Sequence, residues 1–81
     1  RLAEMRYHLR QQGLDEEWLH VARLEAGARL DSRVAQRANN FFGMHVPSGK
    51  VRPTRAQGRY GIYARYGSLA DCVADIRHWA D

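Results

Sequence analysis

A carboxylate and a polar turn carry the side chains best suited to chemistry in this chain. Glu25 stands in Leu24-Glu25-Ala26-Gly27, at the end of a helix-forming run. Downstream lies Asn39-Asn40-Phe41-Phe42-Gly43-Met44, a turn that mixes amides, aromatic rings and a glycine. Trp18, Val21, Ala22 and Glu25 recur at spacings of three and four, which places them on one helical face. A carboxyl on an apolar face is partly desolvated, and the negative end of the helix dipole acts on it in the same direction. Both favour the neutral form, the state a general acid needs near neutral pH. Arg23 and Arg29 oppose this, Arg23 only weakly because it points well round the helix. The alternative is a Glu at the edge of the stripe, reaching out to solvent or to an Arg.

The other polar groups divide between binding and packing. The amides of Asn39 and Asn40 can both donate to and accept from sugar hydroxyls and acetamido groups. A helix exit followed by a core plug explains the same residues equally well. Tyr60, Tyr63 and Tyr66 suit the wall of a sugar groove, or ordinary strand packing. Arg52, Arg55, Arg59 and Arg65 suit an anionic polymer, or a solvated basic surface. His8, His20, His45 and His78 are scattered, no pair has metal-ligand spacing, and no metal or cofactor is expected. Cys72 lies on an apolar stripe and reads as a core residue rather than a nucleophile. No phosphate loop, Ser-His-Asp arrangement or Gly-rich fingerprint is present.

Four helices and a little strand must position these groups. Leu2, Met5 and Leu9 predict a helix over 1–12, ended by Gly13. Asp15 caps a second helix with Glu16 and Glu17 in its first turn, and Gly27 stops it. A short third helix runs over 32–38 behind Asp31 or Ser32, and exits through Asn39-Asn40, which tolerate a left-handed backbone. Residues 41–58 read as irregular, with Phe41 and Phe42 as core plugs and breaks at Pro47, Ser48-Gly49 and Pro53. Residues 59–66 read partly as a short strand, through Tyr60, Ile62 and Tyr63, able to pair with 50–54 at an edge. Ser68 caps the last helix, 69–80, whose buried stripe is Leu69, Cys72, Val73, Ile76 and Trp79.

An 81-residue chain predicts one domain with a small core. The hydrophobic fraction of 44%, with two Trp, four Tyr and two Phe, argues against disorder. Formal net charge is +4, carried almost entirely by Arg, which favours an anionic partner such as nucleic acid, acidic membrane or cell-wall polymer. A single cysteine excludes an intrachain disulfide. No signal peptide or membrane-spanning run is visible. The chain starts at Arg1 rather than Met, as a fragment of a longer chain would.

Taken together, Glu25-x-Gly27 at a helix end, a short helix, Asn39-Asn40-x-Phe42-Gly43-Met44, a basic irregular segment and Tyr63-Ala64-Arg65-Tyr66-Gly67-Ser68 before an amphipathic helix form an ordered set. This set, over residues 18–79, resembles the glucosaminidase domain of bacterial and phage cell-wall hydrolases, glycoside hydrolase family 73. The resemblance implies a lysozyme-like, mainly α (α+β) fold with a minimal β-lobe. It implies an endo-β-N-acetylglucosaminidase that cleaves the β-1,4 bond between N-acetylglucosamine and N-acetylmuramic acid of peptidoglycan. It places the general acid at Glu25 and a catalytic tyrosine at Tyr66. It places substrate contacts at Asn39, Asn40, Phe42 and Gly43, to which Tyr63 is added as a positioning residue. The partner is then the peptidoglycan glycan strand, with neither nucleic acid nor membrane insertion involved. The setting would be the periplasm, the cell wall or a phage virion, within a larger phage or envelope assembly.

Three departures from the family pattern stand out. Ala26 replaces a Ser or Thr, and His45 replaces a Lys. Residues 46–70 contain no Asp or Glu, so a second acid opposite Glu25 is missing from the expected place. Asp31, Asp71 and Asp75 remain as candidates, and participation of the substrate's own acetamido group would remove the need for one. Two rival expectations follow. One is a glycan-binding or structural relative without catalysis. The other is a small basic DNA-binding domain using Arg33 and Arg37 on the short helix.

Overall fold

The computed structural model describes residues 1–46 and 55–80. The sequence-based breaks at Pro47, Ser48-Gly49 and Pro53, and the strand partner expected at 50–54, lie outside the described residues. The chain is mainly α with a small antiparallel hairpin, an α+β arrangement. In order it forms α1 (Leu2–Gln11), α2 (Glu17–Ala26), α3 (Arg33–Ala38), β1 (Arg59–Tyr60), β2 (Tyr63–Ala64) and α4 (Leu69–Ala80). Helix α1 packs on both α2 and α4, while α3 packs on the hairpin.

Local chemistry accounts for the helix boundaries. The Asp15 carboxylate accepts from the Glu17 N–H at 2.9 Å, satisfying one of the free donors at the start of α2. Ser32 Oγ accepts from the Ala35 N–H at 3.2 Å and Ser68 Oγ from the Asp71 N–H at 3.1 Å, so both predicted serine caps are present. Helix α3 ends on Asn39 with φ +50°, the left-handed exit that an asparagine tolerates. Leu30 also has positive φ, +55°, in the loop between α2 and α3. Its side chain is fully buried, and that burial offsets a backbone cost of about 1–2 kcal/mol.

The β structure differs from its sequence-based expectation. The stretch 59–66 is not one strand but folds back at Gly61-Ile62, pairing Arg59 with Ala64 and Tyr60 with Tyr63. Gly61 has φ +61° at the first turn position, where a two-residue hairpin calls for glycine. The outer edge of β2 is covered by 44–46: the Ala64 N–H donates to Met44 O at 2.8 Å and the Val46 N–H to Ile62 O at 2.9 Å. The polar-aromatic turn is thereby tied to the hairpin.

The core holds Met5, Leu9, Leu30, Phe41, Tyr66, Val73 and Ile76. Phe41 plugs it as expected, whereas Phe42 is half-buried and meets Trp18 edge to face at 6.1 Å. Trp79, expected on the buried stripe of α4, is 49% exposed at the last turn of the helix, where Trp18 meets it edge to face at 6.4 Å. Asp75 is the unexpected core member. Its carboxylate accepts from the Tyr66 hydroxyl at 2.9 Å and from the Arg55 N–H at 3.2 Å to each oxygen. Burial, reinforced by Cys72 and Asp75 nearby, pushes the Tyr66 phenol well above its ordinary value. Burial likewise pushes the Cys72 thiol up to about 12.

Three outcomes are expected. Tyr66→Phe removes a donor to a buried carboxylate, at a cost of about 1–3 kcal/mol, and lowers Tm by roughly 5–15 °C. An unchanged Tm would mean that Asp75 does not rely on the phenol. Cys72 reacts with a thiol reagent at pH 8 roughly 1,000-fold more slowly in the folded chain than in denaturant, following its thiolate fraction. Both shifts are upward, so their stabilisation is complete below the unfolded-state values, near pH 9 for the thiol, and is lost as pH rises toward 12. Equilibrium unfolding followed from pH 8 to 11 reads that decline.

Candidate functional site

A cleft of about 150 Å³ is lined by Glu25, Ser32, Arg33, Val34, Asn40, Gly43 and Tyr63. These residues come from the end of α2, the start of α3, the 40–44 turn and β2. Four of the residues expected to form a site therefore meet: Glu25, Asn40, Gly43 and Tyr63. Gly27, with φ +93°, ends α2 and turns the chain. Bonds from the Leu30 N–H to Gly27 O and from the Ser32 N–H to Ala26 O then bring α3 back beside the end of α2.

Glu25 is an edge residue and not the centre of the α2 stripe. The buried positions of α2 are Leu19, Ala22 and Ala26. At about 100° per residue, Glu25 lies roughly 60° round from Ala22 and roughly 100° from Ala26. Its carboxyl is consequently exposed, and the expected desolvation by a surrounding apolar face is absent. Val21, expected on the same face, is 36% exposed for the same reason. Among the described residues, the Glu25 carboxylate has neither a hydrogen bond nor an ion pair. Neighbouring Arg23 is engaged elsewhere, donating to Ala28 O at 3.1 Å.

Gly43 explains why the turn carries a glycine. Its φ is +68°, and a Cβ built there would stand 3.0 Å from Glu25 Oε2. The carboxylate thus lies directly over the Gly43 backbone, in space that any side chain at 43 would contest. Tyr63 is half-buried, lines the same cleft and meets the His45 ring edge to face at 5.2 Å.

Asn40 lines the floor of the cleft but organises the turn instead of offering an amide to a ligand. It is 1% exposed. Its Nδ2 donates to Met44 O and to Ala64 O, each at 2.8 Å. Its Oδ1 accepts from the Met44 N–H at 3.1 Å and the Phe42 N–H at 3.4 Å. Two donors and two acceptor sites are all that an asparagine amide has, and all four are used internally. The sequence-based assignment of this side chain to sugar binding is corrected accordingly.

Asn39, Phe42 and Tyr66 do not line the cleft. Asn39 donates its Nδ2 to Tyr66 O at 3.0 Å, joining the end of α3 to the strand exit. Phe42 turns toward Trp18. Tyr66, expected as a catalytic partner of Glu25, is a core residue bound to Asp75, so its ring supports the fold. Of the three candidate second acids, Asp75 is buried on that network, Asp71 lies 4.0 Å from Arg55, and Asp31 is exposed beside Gly27. None lines the cleft, so Glu25 is its one carboxylate among the described residues. Ser32, Arg33 and Val34 complete the lining; the sequence offered Arg33 only as a DNA contact, and Ser32 and Val34 only as parts of the short helix. The signal for them was the short turn after Gly27, which sends the chain straight back past Glu25.

No three His, Cys, Asp or Glu side chains among the described residues cluster to hold a metal ion, and no described helix is long and apolar enough to cross a membrane. Comparison with known protein families, with curated proteins and with solved structures finds no match to this chain.

Asn40→Asp tests the role given to that amide. The substitution keeps the shape but turns an oxygen toward the Met44 and Ala64 carbonyls, where a donor stood. A loss of about 2 kcal/mol or more in folding stability is expected, read by denaturant unfolding. Stability equal to that of the native chain would mean that the amide bonds do not hold the turn.

Proposed function

We propose that this chain is a peptidoglycan hydrolase, an endo-β-N-acetylglucosaminidase with Glu25 as its general acid. The observation that carries the reading is a carboxylate without a hydrogen-bond or ion-pair partner among the described residues, held over Gly43 in a cleft shared with Tyr63 and Arg33. Sequence order supports it as well, because Glu25 and the Asn-Asn-x-Phe-Gly turn are parts that the resemblance to the glucosaminidase family joins in one groove, although Tyr66, the third part, lies in the core and Tyr63 lines the cleft instead. The net charge of +4 suits an anionic wall polymer. Such a substrate belongs to the periplasm, the cell wall or a phage virion.

One carboxylate in the cleft favours a mechanism that draws its second group from the substrate. Glu25 donates a proton to the glycosidic oxygen as the C1–O bond breaks, and the downstream sugar leaves with a free hydroxyl. The 2-acetamido oxygen of the N-acetylglucosamine closes on C1 and takes up the positive charge. Water then attacks C1 and reopens that ring, returning a proton to the Glu25 carboxylate. Tyr63 offers an aromatic face and a phenol for seating the sugar. The exclusion of water expected from the helix face would come from the seated glycan instead.

The same single carboxylate supports a second reading, a glycan-binding domain that does not cleave. Release of reducing ends from purified peptidoglycan separates the two. In the hydrolase reading the native chain releases them, and Glu25→Gln lowers the rate at least 100-fold. Because Glu25 is exposed and unpaired, Tm should stay within about 2 °C. Equal release by both proteins would sink the assignment of Glu25, and binding without release by either would favour the second reading.

A further inference from the structure

We infer that the β1–β2 hairpin docks this domain on an acidic phospholipid surface, with Ile62 entering the headgroup boundary and Arg33, Arg59 and Arg65 facing the lipid phosphates. The starting observation is Ile62, 59% exposed at the tip of the hairpin. Gly61 supplies the positive φ that the two-residue turn requires, and the φ of Ile62 is not positive. Such a turn readily takes a polar residue at its second position, so folding alone gives no reason for an isoleucine there. Tyr60 and Tyr63 stand directly opposite one another just behind the tip, both half-buried. Arg59 is exposed at the start of β1, and its guanidinium makes no hydrogen bond or ion pair with any described residue. Arg65 follows β2, also exposed, and donates only to Gln57 O, which leaves its charge unneutralised. Arg33, exposed and unpaired, lines the same cleft as Tyr63 and belongs to the helix that packs on both strands. From 46 to 70 the chain has no Asp or Glu.

An apolar tip, a collar of tyrosines and a set of arginines are the parts of an interfacial anchor. A phospholipid bilayer offers a partner to each. Its acyl boundary takes the isoleucine, and its headgroup layer suits rings that carry a phenol at one end. Its phosphates take the guanidiniums as charge-assisted pairs. Nucleic acid would satisfy the arginines but not the tip, because an alkyl side chain offers no ring for a base to stack on, and the Tyr63 ring already meets His45. A neutral sugar chain would satisfy neither the charge nor the tip. The contact lies on the bilayer surface and needs no spanning helix. It is independent of what the Glu25 cleft turns over. One apolar side chain holds a protein to a membrane only weakly, so the isoleucine and the arginines must act together.

Co-sedimentation of the whole chain with lipid vesicles tests this without any glycan present, so its failure leaves the hydrolase reading standing. One set of vesicles is phosphatidylcholine alone, and the other carries about 30% phosphatidylglycerol. The native chain is expected to bind the anionic set about tenfold or more tightly than the zwitterionic set, and less tightly as salt is added. Ile62→Ser, a change that the turn accepts, should lower affinity for the anionic vesicles about tenfold. Arg59→Gln should lower it about fivefold. Leu24→Ser removes an apolar side chain that is more exposed, 71%, from α2, and Arg10→Gln makes the same charge change on α1. Both controls should stay within about twofold of the native chain. Equal binding to the two vesicle sets, or binding to neither, overturns the inference. Losses in the controls that match those in the hairpin variants also overturn it, since general apolarity or general charge would then be the cause. Binding to a DNA duplex as tightly as to the anionic vesicles, unchanged by Ile62→Ser, overturns it as well and gives the surface to nucleic acid.

Discussion

The Asn40 amide is the interaction on which the site depends. It joins three points of the backbone, the exit of α3, the carbonyl of Met44 and the carbonyl of Ala64 in β2, and adds to the backbone bonds from the Ala64 N–H to Met44 O and from the Tyr66 N–H to Ala38 O. By accepting from the Phe42 and Met44 N–H groups it also closes the turn on itself. Gly43 is the residue left at the crest of that closed turn, with a left-handed backbone and no side chain. The carboxylate of Glu25 can lie over it only because both conditions hold. A buried amide with all its hydrogen bonds satisfied fixes geometry more strictly than apolar packing does, because any shift leaves a buried donor or acceptor unpaired.

Much of the fold was legible because its determinants are local. Serine caps, helix-ending glycines and the apolar stripes of α1 and α4 act within a few residues, and they placed the helices correctly. Asn39 in the left-handed exit of α3 belongs to the same class. The hairpin was less legible. Gly61-Ile62 is a two-residue turn set inside what looks like a continuous strand, and the edge covering β2 comes from 44–46. Pairing partners distant in sequence leave no periodic trace in either segment.

The candidate site was legible in membership more than in role. Asn40, Tyr66 and Asp75 all carry groups that chemistry can use, and in this fold all three turn inward to satisfy one another or the backbone. Nothing in a residue type says whether its polar atoms face a ligand or a carbonyl across the core. A domain of this size offers few apolar residues to define its interior, so polar side chains take over part of that task. The error on Glu25 was of a different kind. Spacing of three and four marks a face about 100° wide, and a residue at its margin shares the pattern without the burial.

That margin is also where a residue must be to act on something outside the protein. A carboxyl at the centre of the α2 stripe would be sealed by Leu19, Ala22 and Ala26, out of reach of any polymer. A carboxyl on the far side would have no wall to work against. The position of Glu25 gives it Gly43 beneath, Arg33 and Tyr63 around it, and solvent above. A long glycan can enter only a cleft that is open, and an open cleft cannot desolvate its acid before the ligand arrives. The exposure of Glu25, at odds with the desolvation expected from the helix face, is compatible with the glycan-cleft reading proposed above. In the glucosaminidase reading proposed above, with no second carboxylate in the lining among the described residues, the remaining chemistry would come from groups the substrate brings: a neutral glycosidic oxygen and an acetamido group toward Glu25.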